Sequence, residues 1–161
     1  QKVLRREGRR YAVSPYGLIW NNENYYLVAF DHASHELRHY RVDKMLQIVV
    51  TSLPIQGRDR CPDFQLAQYG QKHFGMYRGR EMTVTLRGRR DMAGVGWDRF
   101  GQDVILVPDG PDHFTVTLPV VLSPQFFGWL FGLAGGLTLA APKDAVSMYR
   151  RSLQAALEGE E

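Results

Sequence analysis

Between residues 11 and 44 the chain packs three blocks of aromatic and β-branched residues closely together, with only short polar turns between them. That spacing leaves little room for anything but antiparallel strands. The first block, Tyr11-Ala12-Val13-Ser14-Pro15-Tyr16-Gly17-Leu18-Ile19-Trp20, has a bend or bulge marked by Pro15 and Gly17 in its middle. Asn21-Asn22-Glu23-Asn24 is a polar turn, and Tyr25-Tyr26-Leu27-Val28-Ala29-Phe30 is apolar on both faces, as a central strand should be. After the turn Asp31-His32-Ala33-Ser34-His35-Glu36 a third strand system is expected over residues 37–50. Within it Tyr40 and Val42 share one face while His39, Arg41 and Asp43 share the other, because side chains alternate along a strand. Three such strands predict a small antiparallel barrel.

Residues 54–62 have turn composition and no apolar periodicity, which predicts an exposed, mobile loop. Asp63 follows Pro62 as a helix N-cap for residues 64–74, and residues 75–79 read as a linker. The second half has its own order. Met82, Val84 and Leu86 alternate as a strand does, and residues 91–100 read as a helix stopped by Gly101. Strands over 103–107 and 113–121 flank the turn Pro108-Asp109-Gly110-Pro111. An apolar helix over 124–134, a strand over 137–141 and a final helix from Lys143 complete the chain. Strand, helix, strand, strand, helix, strand is the order of a ferredoxin-like unit, here with one helix appended. The expectation is therefore an α+β chain of two domains, 1–79 and 80–161.

Charge narrows the functional classes only after it is resolved along the chain. Residues 1–10 hold five basic side chains against Glu7, a net +4 in a chain of formal charge +3, so the remainder sums to −1. This basic stretch reads as a linker, and a chain opening on Gln1 reads as a fragment with something upstream. Residues 1–79 carry 12 basic and 7 acidic side chains, whereas residues 80–161 carry 8 and 10. The longest apolar run, residues 126–141, is broken by glycines and falls short of the roughly 18 residues a membrane span needs, so no membrane partner is expected. A single cysteine, Cys61, cannot form an internal disulfide, and no secretory segment opens the chain. The expected compartment is the cytoplasm.

A search for chemistry yields few candidates. His32, His35 and His39 are three and four residues apart, but in a turn leading to a strand those spacings do not converge on a metal, and none is expected. Cys61 beside Arg58 and Arg60 is more plainly an incidental exposed thiol than a reactive one. Neither a nucleophile elbow nor a phosphate-binding or dinucleotide loop occurs, and no cofactor or enzymatic activity is expected. What stands out is Arg38, Arg41 and Lys44 near Tyr16, Tyr25, Tyr26 and Tyr40. Cations for phosphate and rings for stacking suit a binder of a nucleotide or short single strand. Equally, the tyrosines could be core and the cations a solvated edge that discourages sheet pairing.

Three strings, Pro15-Tyr16-Gly17-Leu18, Tyr25-Tyr26-Leu27-Val28-Ala29-Phe30-Asp31-His32 and Leu37-Arg38-His39-Tyr40-Arg41-Val42-Asp43-Lys44-Met45, resemble in order and spacing the WYL domain of bacterial transcriptional regulators. The second half is similar to the C-terminal extension that commonly follows it, through Arg99-Phe100-Gly101, Pro108-Asp109-Gly110, Gly128-Trp129-Leu130 and Ala141-Pro142. The resemblance implies an Sm-like or SH3-like barrel followed by an α/β extension. It also implies an effector-sensing module behind an upstream winged helix-turn-helix that binds operator DNA. Carried over by position, the ligand face includes Tyr16, Tyr25, His32, Arg38, Arg41 and Lys44, with Arg41 foremost because alternation turns it from Tyr40 and Val42. Arg38 and Lys44 join it only if the strand bulges or ends there. Lys44 stands where the family usually has arginine, a point charge in place of a bidentate fork, and Tyr25 stands where tryptophan is usual. The expected partner is an anionic effector, a nucleotide or single-stranded nucleic acid, bound by a homodimer. The rival reading is an oligomerisation scaffold with Phe126, Phe127 and Trp129 buried between subunits.

Overall fold

The computed structural model describes residues 10–77 and 79–159, so the basic stretch over residues 1–9 lies outside the described residues. The chain divides into two compact units, residues 1–69 and 70–161.

In the first unit, β1 (Val13–Asn21), β2 (Asn24–Asp31) and β3 (Glu36–Arg41) form an antiparallel sheet in that order. The β1–β2 connection is two residues long, and both Asn22 and Glu23 take positive φ. That conformation matches the twist of the flanking strands. The register shifts between Pro15 and Gly17, as expected from a residue without an N–H beside one without a Cβ. A Cβ on Gly17 would lie 2.7 Å from the Leu66 side chain, so the bulge is also a point of close packing.

The expected closed barrel is not present among the described residues: the sheet has three strands and is open. The third strand is shorter than expected. It ends at Arg41 and gives way to a 3-10 turn, Val42–Lys44, after which residues 45–55 form no regular element. Apolar residues there are consecutive, Met45-Leu46 and Ile48-Val49-Val50, and carry no period-two signal to hold a strand in register. Likewise the helix expected over 64–74 is confined to α1 (Leu66–Lys72), and the Phe64 ring ahead of it packs against Tyr16 and Tyr69.

The second unit follows the expected element order. It comprises β4 (Arg80–Arg89), α2 (Ala93–Phe100), β5 (Val107–Pro108), β6 (His113–Leu122), α3 (Pro124–Gly132), β7 (Leu137–Ala141) and α4 (Lys143–Glu158). Its antiparallel sheet runs β5-β6-β4-β7. The β4–β6 ladder is uninterrupted from Arg80↔Leu122 to Arg89↔His113. Val84 and Leu86 on β4 alternate inward to meet Val116 and Leu118 on β6, all buried. Gly101 stops α2 at φ 95°, a conformation that favours glycine. The strand expected over 103–107 shrinks to the two residues of β5.

Phe126 and Phe127 on α3 are buried in this unit's own core, and Trp129 packs against Phe74 and Phe100 at ring distances of 5.2 and 5.5 Å. Phe126 and Phe127 are therefore taken up by the unit's own core and not left for the subunit face of the scaffold reading, whereas Trp129 is partly exposed. Arg99 lies over the Phe74 ring at 3.7 Å, and burial lowers its pKa. No helix among the described residues is long and apolar enough to cross a membrane.

Candidate anion-binding site

Of the six predicted ligand residues, Tyr16, Tyr25, Arg38 and Arg41 lie on the strands of the β1-β2-β3 sheet, while His32 follows β2 and Lys44 follows β3. Register pairs Tyr26 with Arg41 and Ala29 with Arg38, which places Arg41 on the face of Asn24, Tyr26 and Val28, and Arg38 on the face of Tyr25, Ala29 and Asp31. Side-chain contacts agree. Arg41 Nη2 donates to Asn24 Oδ1 at 2.6 Å, and Arg38 Nη1 lies 3.9 Å from Asp31 Oδ2.

At the end of β3, Arg41 donates from Nε and Nη2 to the two oxygens of Asp43 at 3.0 and 2.9 Å. Lys44 Nζ reaches the same carboxylate at 3.1 Å. The 3-10 turn after β3 thus brings Lys44 to Arg41, as the parity argument required. It does so through an acid that sequence reasoning placed on the Arg41 face without assigning it a role. Hydrogen bonding by Arg41, aided by Lys44, holds the Asp43 carboxyl down at about 2 against the cost of desolvation, and the same bond raises the Arg41 pKa. Two cations share one anion, so this corner carries a net charge of about +1. The two N–H groups on Arg41 Nη1 have no described partner.

Tyr16 and His32 lie apart from that corner, each in a hydrogen bond to another part of the first unit. The Tyr16 hydroxyl donates to the Gln56 carbonyl at 3.2 Å, while the Gln56 N–H donates to Ser14 Oγ at 2.9 Å. Ser14 Oγ is in turn hydrogen-bonded to His32 Nε2 at 2.9 Å. Both polar groups of the Gln56 backbone are therefore tied to β1. Burial, reinforced by Cys61 and Asp59 and opposed by Arg58, raises the Tyr16 phenol above its ordinary pKa. Next in the chain, Gly57 sits at φ 85° on the buried Phe30 ring, where a Cβ would lie 2.4 Å from ring carbons. The loop expected to be mobile is pinned at two successive residues.

Beyond those pins the backbone turns back, with Arg60 N–H and Cys61 N–H both donating to the Gly57 carbonyl at 3.1 Å. This turn borders a hollow of about 470 Å³ lined by Phe30, His35, Ile55, Gln56, Arg58 and Arg60 among others. The sequence signal for it was Gly57 amid charged residues, readable as a turn but not as the wall of a cavity.

Tyr25 is about half exposed and meets its cross-strand partner Trp20 edge-on at 4.7 Å, on the face opposite Arg41. Arg38 is largely covered and faces Asp31 and Glu36. Asp31 itself is buried, accepting from Ala33 N–H, Ser34 N–H and the Tyr40 hydroxyl at 2.8, 3.0 and 2.6 Å. Of the six residues the structure gathers Arg41 with Lys44, and Tyr16 with His32, and leaves Tyr25 and Arg38 apart from both pairs. No group of three metal-ligating side chains occurs among the described residues.

Comparisons with known proteins bear on the first unit. No curated protein matches the chain. A solved structure described as proteasome accessory factor B/C (PafBC) of Arthrobacter aurescens is similar over 94% of this chain and 22% of that chain, at 18% identity and a TM-score of 0.42. The chain thus spans under a quarter of that protein. The family model of the WYL domain matches residues 3–50, which take in all three strands, Arg41, Asp43 and Lys44.

Proposed function

We propose that the chain is the effector-sensing part of a bacterial transcriptional regulator, without enzymatic activity or cofactor, acting in the cytoplasm as a homodimer. Its ligand is an anion, a nucleotide or single-stranded nucleic acid, and binding shifts an upstream helix-turn-helix on operator DNA between two arrangements. The observation that carries this reading is the WYL match over residues 3–50. In the same reading the first unit is an Sm-like fold whose described residues form an open three-stranded sheet. The second is a ferredoxin-like extension, a view supported by its strand order β5-β6-β4-β7.

Within the first unit the corner formed by Arg41, Asp43 and Lys44 suits a ligand phosphate. Asn24 and Asp43 fix the Arg41 guanidinium, leaving the Nη1 donors for an incoming oxygen. Asp43 competes with that oxygen for both cations. Titration of the chain with a short single-stranded oligonucleotide and with nucleotides at fixed salt tests the site. Arg41→Ala is expected to weaken binding about tenfold, whereas Asp43→Asn, which releases both cations, is expected to tighten it. Equal affinity of the parent and Arg41→Ala removes the site.

A further inference from the structure

Arg58 and Arg60 are the exposed guanidiniums of the turn at the hollow, and neither has an ion pair or side-chain hydrogen bond among the described residues. Arg38 and Arg41, by contrast, face carboxylates. The two residues are next-but-one neighbours on a turn whose root is immobilised. Gln56 is tied through both backbone groups to Ser14 and Tyr16, and Gly57 is seated on Phe30. Their backbone position is therefore fixed before any ligand arrives, which reduces the ordering cost of binding.

We propose that this hollow is a second anion site of the first unit, separate from the Arg41 corner, and that it takes a small phosphate monoester. Two guanidiniums offer more N–H donors than a single carboxylate can accept, whereas a phosphate presents three oxygens and can span both forks. The volume, about 470 Å³, falls in the range of small-molecule pockets and exceeds what inorganic phosphate alone would fill. Half-exposed Ile55 supplies an apolar wall for the body of the ester. Phe30 is buried beneath the loop and offers no stacking face, which disfavours recognition through a base. Asp59 is the opposing charge, and with it the turn keeps a net charge of about +1, with His35 at the rim. This site deepens the sensing role proposed above and stands or falls on residues other than Arg41.

The test titrates the full chain at fixed salt with ribose 5-phosphate, inorganic phosphate and ribose, following backbone amide shifts. Ribose 5-phosphate is expected to bind saturably and more tightly than inorganic phosphate, with the largest shifts over residues 57–61, and ribose is expected not to bind. The double variant Arg58→Gln/Arg60→Gln should weaken ribose 5-phosphate at least about tenfold, as loss of charge-assisted hydrogen bonds implies. In Arg41→Ala the saturable shifts over residues 57–61 should persist, whatever becomes of shifts at the Arg41 corner. Both arginines are exposed, so the folded amide spectrum of the double variant is expected to persist. Absence of saturable binding by the parent overturns the proposal, as does parent-like affinity in the double variant. Affinity for inorganic phosphate equal to that for the ester overturns the ester assignment. Loss of binding in Arg41→Ala alone would instead locate the anion at the Arg41 corner, overturning this inference while sparing the sensing role.

Discussion

Asp31 shows how much a single buried carboxylate can organise. One oxygen accepts the N–H groups of Ala33 and Ser34 and shapes the β2–β3 turn; the other accepts the Tyr40 hydroxyl and faces Arg38. Burial alone would raise its pKa, but the Tyr40, Ser34 and Ala33 hydrogen bonds and the Arg38 charge outweigh it and hold the carboxyl below its usual value. With the folded pKa below the unfolded one, the unfolded chain takes up the proton first as pH falls. The stabilisation is thus present above the ordinary value of 3.8 and lost as pH falls through the folded pKa. Asp31→Asn is expected to cost about 1–3 kcal/mol at neutral pH, since an amide places donors where the Tyr40 hydroxyl and Arg38 need an acceptor. Urea unfolding of parent and variant at pH 7 and across the acid range should show the gap between them closing toward low pH. Asp43 and Asp91 add acid sensitivity of their own to both proteins, so the difference between the two curves is the quantity that counts. A gap that stays constant with pH would mean that the Asp31 charge is not what stabilises the turn. From sequence, Asp31 was legible as a turn residue, whereas its partners at Tyr40 and Arg38 follow from the β2–β3 register. For the same reason the contacts of Tyr16 and His32 were not legible: the Tyr16 hydroxyl meets the Gln56 carbonyl and His32 meets Ser14 Oγ, both far along the chain from the residue they bond.

Elements were most legible where period and punctuation agreed. The β4 alternation, the stop of α2 at Gly101 and the start of α3 at Pro124 all appear where residue type demands them. The course of residues 45–55 was illegible because apolar residues without a period do not select a register. At α3, Ser123 is the N-cap: its buried hydroxyl accepts the Phe126 N–H at 3.2 Å, with Pro124 in the first turn. That bond orients a helix whose Phe126, Phe127 and Leu130 are buried in the second unit's core. Ser123→Ala removes the acceptor and leaves the Phe126 amide buried and unpaired. The expected cost is about 1–2 kcal/mol, read as a lower denaturant midpoint at unchanged slope. A midpoint equal to the parent's would show that Pro124 and core packing set the start of α3 without the cap.

At the scale of the molecule the two units differ in how much of their apolar surface they bury. The connected core runs from Phe74 to Ala145 and lies wholly in the second unit, with contributions from β4, β6, β7 and all three of its helices. In the first unit the buried hydrophobic residues are Tyr26, Val28, Ala29 and Phe30, all on β2, while Leu46, Ile48, Val49, Val50, Leu53 and Ile55 are each at least half exposed. Stability scales with apolar area withdrawn from water, and a small unit with one covered strand withdraws little. Residues 70–161 produced alone are therefore expected to melt in one cooperative transition, and residues 1–69 alone to bind a hydrophobic dye and melt without one. Calorimetry with dye fluorescence on the two fragments distinguishes the cases. A sharp transition in residues 1–69 would mean that polar ties such as Asp31 to Tyr40 and Gln56 to Ser14 hold the unit with little core. A broad one would mean that the two proposed anion sites belong to a unit of low intrinsic stability. Ligand binding to such a unit raises its stability by mass action, and occupancy becomes a structural signal without any separate moving part.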